Sequence, residues 1–239
     1  MKKYALIIVV VILALYLNRS YAHIYSTIDD AHLVSPDSVY SYQVGKKGTA
    51  KSITYVAIGD SLTAGVGVDE YQKSFPYLVA EKMSAKVSTM GTIVHLKDRA
   101  YPGFKTRDVK GALLDEAIKD NPDVITLLIG VNDIHGNISK KVFKANYQNI
   151  LKRLTSETKA KVYVIGLPYL GTNTLLLPPY RTYFKLRTDE FNEVIKDITA
   201  EYGVTYIELP SSDSYSADSF HPSAEGYATW AETIYARIN

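Results

Sequence analysis

The sequence predicts a three-layer α/β/α sandwich, in which helices cover both faces of a parallel β-sheet. From residue 52 onwards, short apolar segments alternate with longer segments whose apolar residues recur every three or four positions. This alternation is typical of βαβ units, which place helices on both faces of one sheet. The composition, 46% hydrophobic and 22% charged over 239 residues, is sufficient for one such domain and a short additional segment.

The strands and helices of this sandwich can be assigned in order along the chain. The predicted strands span residues 53–58, 94–96, 124–129, 162–165 and 204–209. The predicted helices span residues 74–83, 106–118, 139–154, 182–202 and 223–238. Several helices begin with Ser or Thr, which can cap the first turn. Because open sheets of this kind bind ligands at the carboxyl ends of their strands, functional side chains are expected directly after the strands.

The N-terminus has the pattern of an export signal. Lys2 and Lys3 precede an uninterrupted apolar run at residues 4–17. Its length suits the ~7–15 residues of a signal-peptide core better than the ~20 of a membrane span. The two lysines predict that everything after Ala22 lies outside the cytoplasm. We therefore expect a secreted protein, or one held on the outer face of the cytoplasmic membrane through residues 4–21.

Two fates of this segment are compatible with the sequence. Small residues at Ser20 and Ala22 suit cleavage before His23. The alternative is an uncleaved anchor, with Arg19 reaching the membrane surface. The predicted organisation is a signal peptide or N-terminal anchor at residues 1–22, a spacer or loosely packed extension at 23–51 and the catalytic domain at 52–239.

Composition excludes several classes of function. The chain has no cysteine, which excludes a disulfide framework, cysteine-based zinc sites and a thiol nucleophile. The net charge is only +2, and the basic residues are scattered among acidic ones. Nucleic acid is therefore not a predicted partner. Nothing in the sequence indicates an oligomeric state.

A candidate nucleophile follows the first predicted strand, in the sequence Gly59-Asp60-Ser61-Leu62. A nucleophilic serine needs an exposed hydroxyl, a backbone N–H near the developing oxyanion and small neighbours that admit the substrate. Ser61 at a strand end among glycines satisfies these needs. The alternative is a glycine-rich turn whose Ser or Asp only caps a helix.

Two later strand ends carry matching polar groups. Asn132 follows the third strand and can donate its side-chain amide to an oxyanion, although an Asx turn is the alternative. Asp218 precedes His221 by three residues, a spacing that lets the carboxylate bind Nδ1 and direct Nε2 towards a nucleophile. A metal site of Asp133, His135 and His221 is disfavoured because no compact ligand motif is present. His135 is instead expected at the rim of the site.

Together these segments resemble three of the signature blocks of the SGNH (GDSL-type) hydrolase superfamily, over residues 52–239. The resemblance implies a flavodoxin-like sandwich with five parallel strands. It also implies a serine esterase that needs no cofactor and forms an acyl-enzyme, with Ser61, His221 and Asp218 as its triad. The expected substrate is a small-molecule, glycan or lipid ester.

The remaining family block contributes a glycine whose backbone N–H joins the oxyanion hole, and Gly103 matches that position. The implied hole then consists of the N–H groups of Ser61 and Gly103 and the amide of Asn132. The match is imperfect, because Pro102 stands where the family usually has a small polar residue and the Asn often found upstream is absent. The alternative for Gly103 is an ordinary turn glycine.

The segment after the fourth strand, residues 166–180, is expected to overhang the pocket. It contains Leu175, Leu176 and Leu177 followed by two prolines, which suits a semi-rigid apolar flap lining an acyl groove. Alternatively, the leucines only pack the flap onto the next helix. The same residues could serve an acyltransferase or an O-deacetylase acting on cell-wall or exported glycans. A non-catalytic glycan-binding module is disfavoured because it would not need the four polar residues together.

Overall fold

The computed structural model describes residues 2–30, 41–45, 51–85, 92–172, 174–211 and 213–238. Its centre is a six-stranded sheet with the spatial order β1-β3-β2-β4-β5-β6. The strands are β1 (Ser41–Val44), β2 (Lys51–Gly59), β3 (Thr92–Ala100), β4 (Val124–Leu128), β5 (Lys161–Ile165) and β6 (Thr205–Ile207). The strands β2 to β6 are parallel to one another, and their order is that of a flavodoxin-like sheet.

The predicted α/β sandwich is confirmed, with one strand more than expected. The additional strand β1 pairs antiparallel with β3 at the sheet edge. It lies inside the range 23–51 that we predicted as a spacer or loosely packed extension, and it adds an ordered edge strand within that range. Only Val44 of this strand is buried, so its four residues carry too little pattern to be recognised from the sequence.

The helices are α1 (Lys2–Asp30), α2 (Phe75–Ala85), α3 (Thr106–Asp108), α4 (Leu114–Lys119), α5 (Val131–His135), α6 (Lys140–Glu157), α7 (Tyr180–Tyr202) and α8 (Ala224–Tyr235). The helices α2 and α8 pack together, as do α6 and α7. Helix α6 begins where Ser139 accepts a hydrogen bond from Val142 N–H, and α8 begins likewise at Ser223. The helix predicted at 106–118 is interrupted, because Gly111 has a non-helical backbone conformation.

Helix α1 crosses the boundary that we placed at residue 22. It is long and apolar enough to span a membrane, with a mean hydropathy of 2.0 over the most apolar 18-residue window within Lys2–Ile28. Its last turns pack against the domain, since Ile24 is 1% exposed and belongs to the main hydrophobic core. The uninterrupted apolar run at residues 4–17 is the strongest pattern in this part of the sequence. The burial of Ile24 after it rests on a contact with the domain and could not be recognised from that pattern.

Candidate active site

The turn after β2 holds Ser61 at the carboxyl edge of the sheet. The carbonyl of Asp60 accepts hydrogen bonds from the N–H groups of Thr63 and Ala64, which closes the turn tightly. Gly59 has no space for a side chain, because a Cβ there would lie 2.5 Å from the carbonyl oxygen of Leu128. The glycine therefore lets the end of β2 approach β4 closely and leaves the Ser61 side chain half-buried at the edge.

His221 joins this serine to a buried carboxylate. Its Nε2 lies 2.9 Å from Ser61 Oγ, and its Nδ1 lies 2.6 Å from Asp218 Oδ2. An ionised carboxylate can only accept, so Nδ1 carries a proton and Nε2 is free to accept one from the serine hydroxyl. The two loops approach closely because residue 67 is glycine: a Cβ at Gly67 would lie 2.5 Å from the Pro222 carbonyl oxygen.

The carboxylate of Asp218 is fully buried and heavily hydrogen-bonded. Its Oδ1 accepts from Ser216 Oγ at 2.7 Å and from the N–H groups of Phe220 and His221 at 2.9 Å. Burial by itself raises the pKa of Asp218, but the hydrogen bonds from His221, Ser216 and Phe220 outweigh it and lower the pKa below its usual value. The group is therefore ionised at neutral pH and fixed in orientation.

Asn132 connects two of the sequence blocks. Its Nδ2 donates to the carbonyl of Phe104 at 3.0 Å and lies 3.5 Å from Asp60 Oδ2. The amide thus bridges the loop that contains Gly103 and the turn that contains Ser61. It is half-buried, so its N–H groups can be shared with a bound substrate.

Gly103 occupies the third position of a turn closed by the hydrogen bond from Phe104 N–H to the Tyr101 carbonyl. Its φ of +82° requires glycine, and Pro102 before it suits the preceding position of a type II turn. No atom lies within 4 Å of a Cβ built at Gly103, so the conformation and not crowding selects the residue. The departure from the family pattern at Pro102 therefore has a local structural reason.

Two further acids stabilise these loops. Asp133 accepts from the N–H of Thr106 at 2.9 Å and from its hydroxyl at 2.6 Å, which fixes the start of α3 directly after the Gly103 turn. Asp60 accepts from Leu62 N–H at 3.0 Å. Burial raises the pKa of Asp60 to about 7. The hydrogen bond from Leu62 N–H acts in the opposite direction and lowers this pKa, whereas the charge of Asp133 raises it further.

A cavity of about 180 Å³ lies between α5, α7 and the loop after β5. His135 is part of its wall. The centroid of its ring lies 4.7 Å from that of Phe184 and 5.3 Å from that of Phe220, which precedes His221 in the chain. Burial, together with the charges of His221 and Lys105, lowers the pKa of His135 to about 4. The ring is therefore neutral at physiological pH and contributes a mainly apolar face.

The three leucines of the loop occupy three different environments. Leu176 is 5% exposed and lines the cavity. Leu175 is buried in the hydrophobic core, and Leu177 lies against a groove beside helix α1. Of the three leucines predicted to line an acyl groove, Leu176 therefore borders this cavity and Leu175 and Leu177 do not, because successive residues of a turn point in different directions.

Ser61, His221 and Asp218 are thus connected by hydrogen bonds, and Asn132 lies between their turn and the Gly103 loop. The aromatic wall of the cavity was not predicted as a unit. Phe184 comes from α7, Phe220 from the His221 loop and His135 from α5, so no sequence spacing links them. In the sequence these three residues share only one feature: each lies in a segment that comes after the end of a strand.

Comparisons with known proteins agree with this geometry. Residues 57–229 match the model of the GDSL-like Lipase/Acylhydrolase family. The chain is 24% identical over 217 residues to an acetylxylan esterase from Geobacillus stearothermophilus, covering 81% of this chain and 96% of that protein. The predicted resemblance is therefore confirmed.

Solved structures support the same assignment. A lipase/acylhydrolase from Enterococcus faecalis is 26% identical, with a TM-score of 0.64 over 78% of this chain and 95% of that one. Axe2, an acetylxylan esterase from Geobacillus stearothermophilus, has a TM-score of 0.61 at 17% identity, covering 80% and 95% of the two chains. Catalytic mutants of Axe2 in which a serine or an aspartate is replaced by alanine are also similar in structure.

Proposed function

Because this chain belongs to the GDSL-like lipase/acylhydrolase family and is a serine hydrolase of ester bonds, we propose that Ser61, His221 and Asp218 are its catalytic triad. The observation that carries the proposal is the hydrogen-bonded chain from Ser61 Oγ to His221 Nε2 at 2.9 Å and from Nδ1 to Asp218 at 2.6 Å. The existence of catalytic Ser and Asp mutants of the similar protein Axe2 supports it.

In the proposed reaction, His221 Nε2 takes the proton of Ser61 as Oγ attacks the ester carbonyl. Asp218 holds the imidazole tautomer and stabilises the imidazolium. The tetrahedral oxyanion is bound by the N–H groups of Ser61 and Gly103 and by the Asn132 amide. The protonated His221 then gives its proton to the leaving alcohol, and a water activated by the same Nε2 hydrolyses the acyl-enzyme.

We also propose that the reaction takes place outside the cytoplasm. Lys2 and Lys3 before the exposed apolar part of α1 favour a cytoplasmic N-terminus. The proposed division is then an export or anchor segment within residues 1–22 and a catalytic domain from residue 52 onwards. Strand β1 extends the sheet of this domain on the N-terminal side.

A second candidate is a narrower version of the first, an O-deacetylase of exported glycans. It is favoured by the similarity to an acetylxylan esterase over 96% of that protein's length. An acyltransferase using a sugar hydroxyl in place of water would need the same residues. A deacetylase transfers the acyl group to water even when glycan acceptors are present, whereas an acyltransferase transfers it to the acceptor. Product analysis with added glycan acceptors distinguishes them.

The first test is turnover of p-nitrophenyl acetate by the purified full-length chain. Ser61→Ala should lower kcat by roughly 10³-fold or more while leaving the fold intact. Ser156→Ala, at an exposed position on α6, is the matched control and should retain wild-type kcat. Undiminished turnover by Ser61→Ala would reject the triad.

A further inference from the structure

Helix α1 consists of two parts with different surroundings. From Tyr4 to Leu15 its large apolar side chains are exposed, for example Tyr4 at 72% and Leu15 at 64%. Further along, Ser20 is 3% exposed and Ile24 is 1% exposed, and both face the domain. A single continuous helix therefore presents an apolar surface to its surroundings and then packs against the folded domain.

The packed part of α1 contacts residues 174–179, the end of the segment 166–180 predicted as a flap, and these six residues are called the flap from here on. Tyr16 Oη donates to the carbonyl of Pro178 at 2.7 Å, near the end of the flap. His23 Nε2 lies 3.2 Å from the carbonyl of Thr174, at its beginning. The helix thus holds the flap at both ends.

The first residue of α7 strengthens this attachment. Tyr180 Oη donates to the carbonyl of Leu17 at 3.2 Å, and its ring lies 6.0 Å from that of Tyr21. The contacts of α1 therefore lie on both sides of the cleavage position predicted before His23. Removal of residues 1–22 would eliminate those made by Tyr16, Leu17 and Tyr21.

The inner side of the flap faces the cavity beside the active site. Leu176 lines that cavity, and its carbonyl accepts a hydrogen bond from Arg181 Nε at 3.1 Å. Leu175 is 1% exposed within the core. The outer side of the flap touches α1 and the inner side borders the cavity, so the position of the helix affects the position of the cavity wall.

We propose that α1 is retained as a membrane anchor and that Tyr16, His23 and Tyr180 are positioning residues through which it fixes the flap. The occupant of the exposed apolar surface is a lipid bilayer. The exposed run is shorter than the ~20 residues of a perpendicular span, and Lys2 and Lys3 can extend to the inner headgroups. The flap and the cavity then lie close to the outer membrane surface, where Tyr16 and Tyr21 suit the interface.

The role of the cavity in catalysis rests on the proposed function, whereas the attachment of α1 to the flap does not. The test uses the full-length chain in membranes and two variants that each remove one hydroxyl, Tyr16→Phe and Tyr180→Phe. Tyr4→Phe is the control, because Tyr4 is 72% exposed. Intact mass of the membrane-extracted protein should show that residues 1–22 are still present.

Hydrogen exchange reports on the flap independently of activity. The N–H groups of Leu175 and Leu176 are bonded to Thr172, and they should exchange roughly three- to tenfold faster in Tyr16→Phe and Tyr180→Phe, with no change in Tyr4→Phe. KM for butyryl esters should rise in the same two variants, with kcat for acetyl esters retained. A mature chain that begins at His23, or wild-type exchange in both variants, would overturn the proposal. An inactive wild type with the expected exchange would reject the proposed function alone.

Discussion

At the scale of single residues, the site is organised around the carboxylate of Asp218, whose orientation is fixed by hydrogen bonds. Asp218 accepts three hydrogen bonds on Oδ1 and the histidine on Oδ2, within a loop where Ser219 adopts a positive φ of 58°. The loop is thus shaped by the carboxylate that it contains. This arrangement explains why an Asp and a His three residues apart can be recognised from sequence alone.

Asn132 provides a test of transition-state stabilisation. Asn132→Ala should lower kcat by roughly 10²- to 10³-fold with little change in KM, because an oxyanion donor meets its full charge only when the carbonyl becomes tetrahedral. Steady-state kinetics on p-nitrophenyl acetate measures this. Asn149→Ala, an exposed change on α6, serves as the control. A loss confined to KM would mean that Asn132 only binds substrate or holds the Phe104 loop.

The sequence predicted the identity of the polar residues but not the bonds between distant ones. The bond from Asn132 to the Phe104 carbonyl depends on how two loops meet in space, and nothing in either segment encodes the pairing. Likewise, His135 was placed at the rim from its neighbours in sequence. Its burial between Phe184 and Phe220 depends on α7, which starts 45 residues later.

At the scale of elements, hydrophobic periodicity located the parallel strands but misjudged the edge of the sheet. In β3, buried residues alternate with partly exposed ones such as Lys97 and Arg99, so only its apolar centre was recognised. The break at Gly111 and the burial of Ile24 were also missed. In both places a local conformation or a tertiary contact overrides the pattern.

The flap gives a prediction about substrate length. If Leu176 lines an acyl site, each additional buried methylene contributes up to ~0.8 kcal/mol, and kcat/KM should rise from acetyl to butyryl esters. Leu176→Ala should flatten that rise and largely retain hydrolysis of the acetyl ester. Leu186→Ala is the control, because Leu186 is 62% exposed.

The measurement is kcat/KM across a series of p-nitrophenyl esters. A wild-type profile that peaks at acetyl would contradict an acyl site at Leu176 and favour the O-deacetylase. A profile that rises equally in wild type and Leu176→Ala would place the acyl chain elsewhere.

At the scale of the whole molecule, buried acids make stability depend on pH. Burial raises the pKa of Asp98 on β3 to about 8, and its side chain is 5% exposed. An unfolded Asp releases its proton near pH ~4. Between these values the native state holds a proton that the unfolded state has lost, so the contribution of Asp98 to stability is greatest below pH ~4 and falls until about pH 8.

Asp98→Asn should remove this contribution, since the amide stays neutral at every pH. Urea unfolding between pH 4.5 and 8.5 should show a smaller decline in the variant than in wild type, with the difference growing towards pH ~8. Asp197→Asn, at an exposed position on α7, should run parallel to wild type. Parallel curves for Asp98→Asn would show that Asp98 is ionised in the folded protein.

The parallel strands and the expectation of a site at their carboxyl ends were accessible from the sequence, because both follow from the alternation of strands with helices and from the polar residues after the strand ends. The flavodoxin-like arrangement was implied only by the resemblance to the family. The relation between α1 and the domain was not. It depends on hydrogen bonds from Tyr16 and Tyr180 to backbone carbonyls more than 160 residues away, which leave no periodic signal.

The central claim is that Ser61 is a covalent nucleophile activated by His221, and active-site labelling tests it most directly. Fluorophosphonate treatment of the full-length chain, followed by intact-mass measurement and peptide mapping, should give one adduct located on Ser61. The adduct should be absent from Ser61→Ala and should form far more slowly on His221→Ala, since this change removes the base that contacts Oγ. An unchanged adduct on Ser61→Ala, or modification of another residue, would contradict the claim.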